Sequence, residues 1–163
     1  MDGNILTENM NVVHALTPLQ RALNVSTNVI NIALQHCATF IIQKGEGAVG
    51  TTTVTIDACD DVVPNNTTAI PFQYRRMIGG TNTWGALTVA TAVGFVTTAN
   101  ADDEYEISVD SAEVTNAIVN GARGNHYVRL TMTQVNATVC TVGIICILPR
   151  QRYKQQVPIS AIV

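Results

Sequence analysis

Three histidines (His14, His36, His126) and four cysteines (Cys37, Cys59, Cys140, Cys146) are the residues of this chain best suited to act as base, nucleophile or soft metal ligand. Their spacing assembles neither kind of site. No serine in a Gly-x-Ser-x-Gly elbow accompanies the histidines. His36 and Cys37 are adjacent, and neighbours on a strand point to opposite faces, so they do not form a nucleophile–base pair. The cysteines match no zinc-binding pattern and sit among Val, Ile, Thr or Ala, as expected of free, buried thiols. Cys140 and Cys146 share one face of a strand but lie roughly 20 Å apart, too far for a bridge. No catalytic residue, metal ligand or cofactor site is assigned.

Two acidic clusters, Asp57/Asp60/Asp61 and Asp102/Asp103/Glu104/Glu106, are weighed as calcium ligands. Neither has EF-hand spacing or a glycine at its turn, and both read as solvated loops. Gly45-x-Gly47 and Gly79-Gly80 precede no phosphate-binding helix and read as hairpin glycines. Trp84, beside Gly85 and with Tyr74 and Arg75 nearby, suits either a sandwich core or an exposed platform that stacks on sugar rings. The sequons at Asn24, Asn65, Asn66 and Asn136 matter only on a secretory route.

The elements that would carry these groups are strands. Val, Ile and Thr make up a third of the 163 residues, and β-branched side chains pack well on a pleated sheet. Apolar residues alternate in Thr53–Ala58, Glu104–Val109 and His126–Val135, each predicting a strand with one wet face. The run Thr138–Leu148 is apolar on both faces, which requires a central position or a covering neighbour. Further strands are expected at Val25–Leu34, Ala38–Gln43, Ala69–Tyr74 and Ala86–Val96, separated by Gly-, Asn- and Pro-bearing turns. Asp110-Ser-Ala-Glu113 resembles a capping box and predicts a short helix over Val114–Asn120, ended by Gly121. The expected fold is mostly β: an antiparallel β-sandwich or jelly-roll-like domain with one short helix and extended terminal arms.

Bulk composition narrows the function classes. Charged residues are 13% and net charge is −3, with nine basic residues spread thinly, so direct nucleic-acid binding is not expected. The longest apolar stretch, Val139–Leu148, is about half a membrane span, and no secretory h-region opens the chain; neither a membrane nor a Sec route is expected. The chain divides into an amino-terminal arm (1–24), a β-sandwich body (25–148) and a carboxy-terminal arm (149–163). Ordering a terminal residue costs roughly 1–2 kcal/mol of backbone entropy, so such ends take shape only against contacts. These come either from partner chains or from the sandwich itself. The partner-binding residues expected on the last arm are Arg150, Arg152, Tyr153, Val157, Ile159 and Ile162.

Asn125-His-Tyr-Val-Arg-Leu-Thr-Met-Thr133, then an apolar strand, then Ile147-Leu-Pro-Arg-Gln-Arg-Tyr153, resembles the closing strands of small virion proteins of tailed bacteriophages. In those proteins a Tyr-Val-Arg strand precedes an apolar strand ending near Asp-Pro-Arg-Tyr. The stretch from Ala38-Thr-Phe-Ile-Ile-Gln-Lys through Thr51–Asp57 to Pro71-Phe-Gln-Tyr74 is similar to their opening hairpin. Here Pro149 lacks the preceding acid, and Gln151 stands between Arg150 and Arg152. The resemblance covers about 110 residues, mostly as pattern. It implies a non-enzymatic structural protein, made in the bacterial host cytoplasm and placed on the capsid surface of the virion. Within that group the reading is a capsid decoration or cement protein. Its implied partners are the major capsid protein and further copies of itself, a trimer by analogy. A head–tail connector or tail component, and a carbohydrate-binding or adhesion module, are the alternatives.

Overall fold

The computed structural model describes residues 10–21, 24–45, 50–99, 102–136 and 140–149. In chain order the elements are β1 (Asn11–Arg21), β2 (Val25–Ser26), β3 (Ile30–Asn31), β4 (Cys37–Lys44), β5 (Thr52–Cys59) and β6 (Thr67–Ile70). They continue as β7 (Phe72–Met77), β8 (Thr88–Ala90), β9 (Phe95–Val96), β10 (Glu104–Asp110), α1 (Ser111–Asn116), β11 (Tyr127–Gln134) and β12 (Cys140–Leu148). The first sheet runs β1-β12-β4-β10-β7-β8 and the second β2-β11-β5-β6, with β3 added to β11 and β9 to β5. All pairings are antiparallel. The fold is the expected mostly-β, sandwich-like one.

Alternation builds the core between the sheets. Phe40, Ile42, Ile107 and Ile144 point inward from the first sheet and Val54, Ile56, Val128 and Leu130 from the second, all in one buried cluster. Each such side chain stabilises the fold by about 1.5–3 kcal/mol relative to exposure. Asn11–Arg21, inside the stretch read as the amino-terminal arm, lies as an edge strand on β12, with register shifts around Leu16.

Four elements differ from expectation, each for a local reason. Val25–Leu34 is split into β2 and β3, interrupted where the Thr27 hydroxyl, in place of a backbone carbonyl, accepts from Leu130 N–H at 3.1 Å. Ala69–Tyr74 is split at Pro71, which has no N–H for a ladder, and β6 and β7 fall in different sheets. Ala86–Val96 is likewise split. Gly94, at φ +81°, turns the chain so closely over Val54 that an added Cβ would lie 2.0 Å from the Val54 carbonyl oxygen. The helix starts earlier than expected because the Asp110 side chain accepts from Ala112 N–H at 2.8 Å, and it ends at Ala117. Gly121 does not stop it. Asn120 and Gly121, at φ +50° and +77°, form the tight turn between the bridged pair Val119 and Ala122.

Candidate functional site

The residues singled out for chemistry are held apart. His14, His36 and His126 are all exposed, in three separate places: on β1, before β4 and before β11. Among the described residues no three His, Cys, Asp or Glu gather as a metal site. Cys59 and Cys146 are free and buried; burial pushes the Cys59 thiol up to about 11 and the Cys146 thiol well above its ordinary value. Cys37 is free but only half-buried, because it faces outward at the start of β4. The side chain of Cys140 lies outside the described residues.

The acidic clusters are solvated loops only in part: Asp61 and Asp102 are exposed, while Asp57, Asp60, Asp103 and Glu106 have partners. Asp57 faces outward from β5, where Thr131 Oγ1 donates to it at 2.9 Å and Arg129 lies 3.4 Å away. Asp60 accepts from the Asn66 side chain and the backbone N–H groups of Asn65 and Asn66, bonds that hold its carboxyl below the usual range. In the second cluster the strand period separates neighbours. Asp103 turns inward, fully buried, and is paired with Arg76 at 2.8 Å; Glu106 turns outward onto Arg75, whose Nε donates at 2.8 Å. Around Asp103 a polar knot closes one end of the sandwich. Thr98 N–H donates to the Tyr105 hydroxyl at 2.8 Å, and Lys44 Nζ donates to the carbonyls of Gly50 and Thr98.

Beside this knot an open cavity of about 600 Å³ lies between the loop after β7 and the strands β8 and β9. Tyr74 and Trp84 both line it. Trp84 is neither in the core nor fully exposed; it is half-buried, bridged to Met77, with the Arg75 guanidinium 5.0 Å from its ring centre. Tyr74 stacks parallel on Phe95 at 3.9 Å. Ile78 and Val96 on its lining, and Leu87 before β8, Val89 on it and Val93 between β8 and β9, are each more than half exposed.

Sequence reasoning missed this rim. From Met77 to Ala101 the chain has no Asp, Glu, Lys or Arg, which a buried strand would explain. Here the uncharged stretch lies at the surface, around β8, the last strand of its sheet. Sheet edges are ordinarily protected by charge. The run without charge, together with Gly94, was the available signal.

A second apolar region covers the outer side of the first sheet. Ile145 and Ile41 are opposed across β12 and β4, and Ile147 is flanked by Val12 and Thr39. Cys37, Thr39, Ile41 and Ile147 line a groove of about 270 Å³ with Glu106, Met10 and Pro149. The six residues expected to bind a partner, Arg150, Arg152, Tyr153, Val157, Ile159 and Ile162, lie outside the described residues; the chain enters that segment from Pro149, on the wall of this groove. No family profile matches the chain, and neither the curated proteins nor the solved structures contain a match to it.

Proposed function

We propose that this chain is a structural subunit of a bacteriophage virion, a capsid decoration or cement protein that clamps neighbouring capsid subunits from outside. The observation that carries the reading is the uncharged, apolar rim around β8 and β9. Its exposed Leu87, Val89, Val93 and Val96 suit permanent contact with other subunits. An edge strand without charge also invites pairing with a partner strand. The resemblance of the closing strands to phage virion proteins supplies the setting. In this reading Arg150, Arg152, Tyr153, Val157, Ile159 and Ile162 form an arm that grips a neighbour, and lattice repetition turns a weak contact into firm attachment. The assembled form is a homo-oligomer, a trimer at a threefold position by analogy.

Imaging of intact particles tests this. Density for the sandwich on the outer shell at hundreds of copies is the expected result, and Val89→Lys with Val93→Lys removes it while leaving a folded subunit. A ring of about a dozen copies at the neck would make it a connector instead.

One observation favours a second reading, a carbohydrate-binding module. Tyr74 and Trp84, which stack on sugar rings in other settings, share one cavity with Arg76 and the hydroxyls of Thr81, Thr83 and Thr98. A glycan screen with Trp84→Ala as control decides it, and the absence of Trp84-dependent binding discards it.

A further inference from the structure

We infer that the outer face of the first sheet is the docking site of the chain's own carboxy-terminal segment, residues 150–163. The argument begins with what the face lacks. On a sheet exposed to water, outward positions of β12 and β4 would be polar throughout, yet beside Thr39, Gln43 and Gly143 they hold Ile145, Ile147 and Ile41. Next to them, two strands from β12, the outward positions of β10 are Glu104, Glu106, Ser108 and Asp110, three acids of which Glu106 is shared with Arg75 of β7. The face is therefore an apolar strip with an acidic border.

The two segments that adjoin this groove in the chain can be compared. Met10 and Pro149 stand on its wall, so residues 1–9 and 150–163 both start there. Residues 1–9 carry Asp2 and Glu8 and no Lys or Arg, the wrong sign for the acidic border. Residues 150–163 carry Arg150, Arg152 and Lys154 with no Asp or Glu, followed by Val157-Pro-Ile-Ser-Ala-Ile-Val163. Cations come first and apolar residues after, and this chemistry matches border and strip together.

The reach also fits. Strands are spaced about 4.8 Å apart, so β10 lies roughly 10 Å from β12. Lys154 is five residues beyond Pro149, about 17 Å when extended. It arrives at Glu106 or Glu104 with slack, and the apolar end then returns over Ile41, Ile145 and Ile147. Tethering at the groove wall gives the segment a local concentration in the millimolar range or above, which favours the chain's own copy over a second one in dilute solution. In a crowded shell the same contacts are available to a neighbour's segment, so the inference stands with or without the virion reading.

Lys44 and Lys154 are the two lysines of the chain, and Lys44 is buried, which makes a zero-length carbodiimide cross-link a clean probe. In the purified full-length chain, Lys154 should join Glu104, Glu106 or Asp110. In an equal mixture of ¹⁴N- and ¹⁵N-labelled protein the joined peptides should carry one label. Replacing Val157, Ile159 and Ile162 by Ser in the full chain should reduce that cross-link at least fivefold. Cross-links of Lys154 only to Asp57, Asp60, Asp61 or Glu113, or none at all, would overturn the inference. Mixed-label peptides would assign the segment to a second copy. A cross-link unaffected by the serine replacements would overturn the apolar half of the site.

Discussion

The two sheets obey the same alternation on the inside and differ on the outside. Outward from the second sheet stand Thr53, Thr55 and Asp57 on β5 facing Thr133, Thr131 and Arg129 on β11. Their hydroxyls and charges bond one another: Ser26 to Thr131, and Thr131 and Arg129 to Asp57. Nothing further is needed to make that surface comfortable in water. Outward from the first sheet Ile41, Ile145 and Ile147 stand among Thr39, Gln43 and Gly143, with charge on β10 and β7. Two faces built from the same strand geometry thus declare different fates, one wetted and one covered. Side-chain choice at outward positions, which contributes little to the core, carries the information about neighbours.

The contrast breaks if a charge costs the same on both faces. Ile145 is opposed by Ile41 and His14, so Ile145→Lys removes an apolar cross-strand contact and forces an ammonium among hydrocarbon. A loss of about 2 kcal/mol is expected. Thr133→Lys, on an exposed position of β11, should stay within about 0.5 kcal/mol. Urea unfolding of the two variants gives both values, and equal midpoints would abolish the distinction.

Ion pairs sharpen it with a smaller effect. Asp57→Ala strips the acceptor from Thr131 and the counter-charge from Arg129, whose Nε is already buried without a partner; a cost of about 1–2 kcal/mol follows. Glu106→Ala removes a pair whose two side chains are 26% and 37% exposed, so solvent screening limits the loss to about 0–1 kcal/mol. On the second sheet the charges hold the face together, and on the first they border it. The reverse order of costs in thermal unfolding would remove that difference in role.

How much of this was legible in the sequence depends on how local the cause is. β5, β10 and β11 follow from alternation alone, since Val54, Ile56, Ile107, Val109, Val128 and Leu130 mark their buried faces. Sheet membership was not legible. Whether β6 and β7 are one strand or two turns on Pro71 changing sheets, and the division of β8 from β9 turns on Gly94 clearing Val54, a residue forty positions away. The acids of the second cluster read as one solvated group because their count is visible and their facing is not. The strand period buries Asp103 against Arg76 and leaves Glu106 outside. Trp84 was legible in part: Tyr74 and Arg75 could be placed near it from the sequence, whereas its bridge to Met77 and its half-buried setting depend on a loop path that no periodicity encodes.

The finest distinction between the faces is in their thiols. Cys37, half-buried on the outer side of the first sheet, has its thiol raised first by burial and second by the negative charge of Asp110. Cys59, in the second sheet, is raised to about 11, chiefly by burial. Only the thiolate is alkylated, so at pH 8, below both values, each rate follows the small ionised fraction. Asp110→Asn keeps a side chain able to cap α1 and deletes the charge; the Cys37 thiol then ionises at lower pH, and its rate at pH 8 should rise. Cys59 lacks Asp110 among the charges that act on it, so its rate should not change. Site-resolved maleimide labelling read by peptide mass measures both at once. A parallel rise at Cys59 would point to general loosening of the sandwich, while an unchanged Cys37 would mean that burial alone governs the thiol on the covered face.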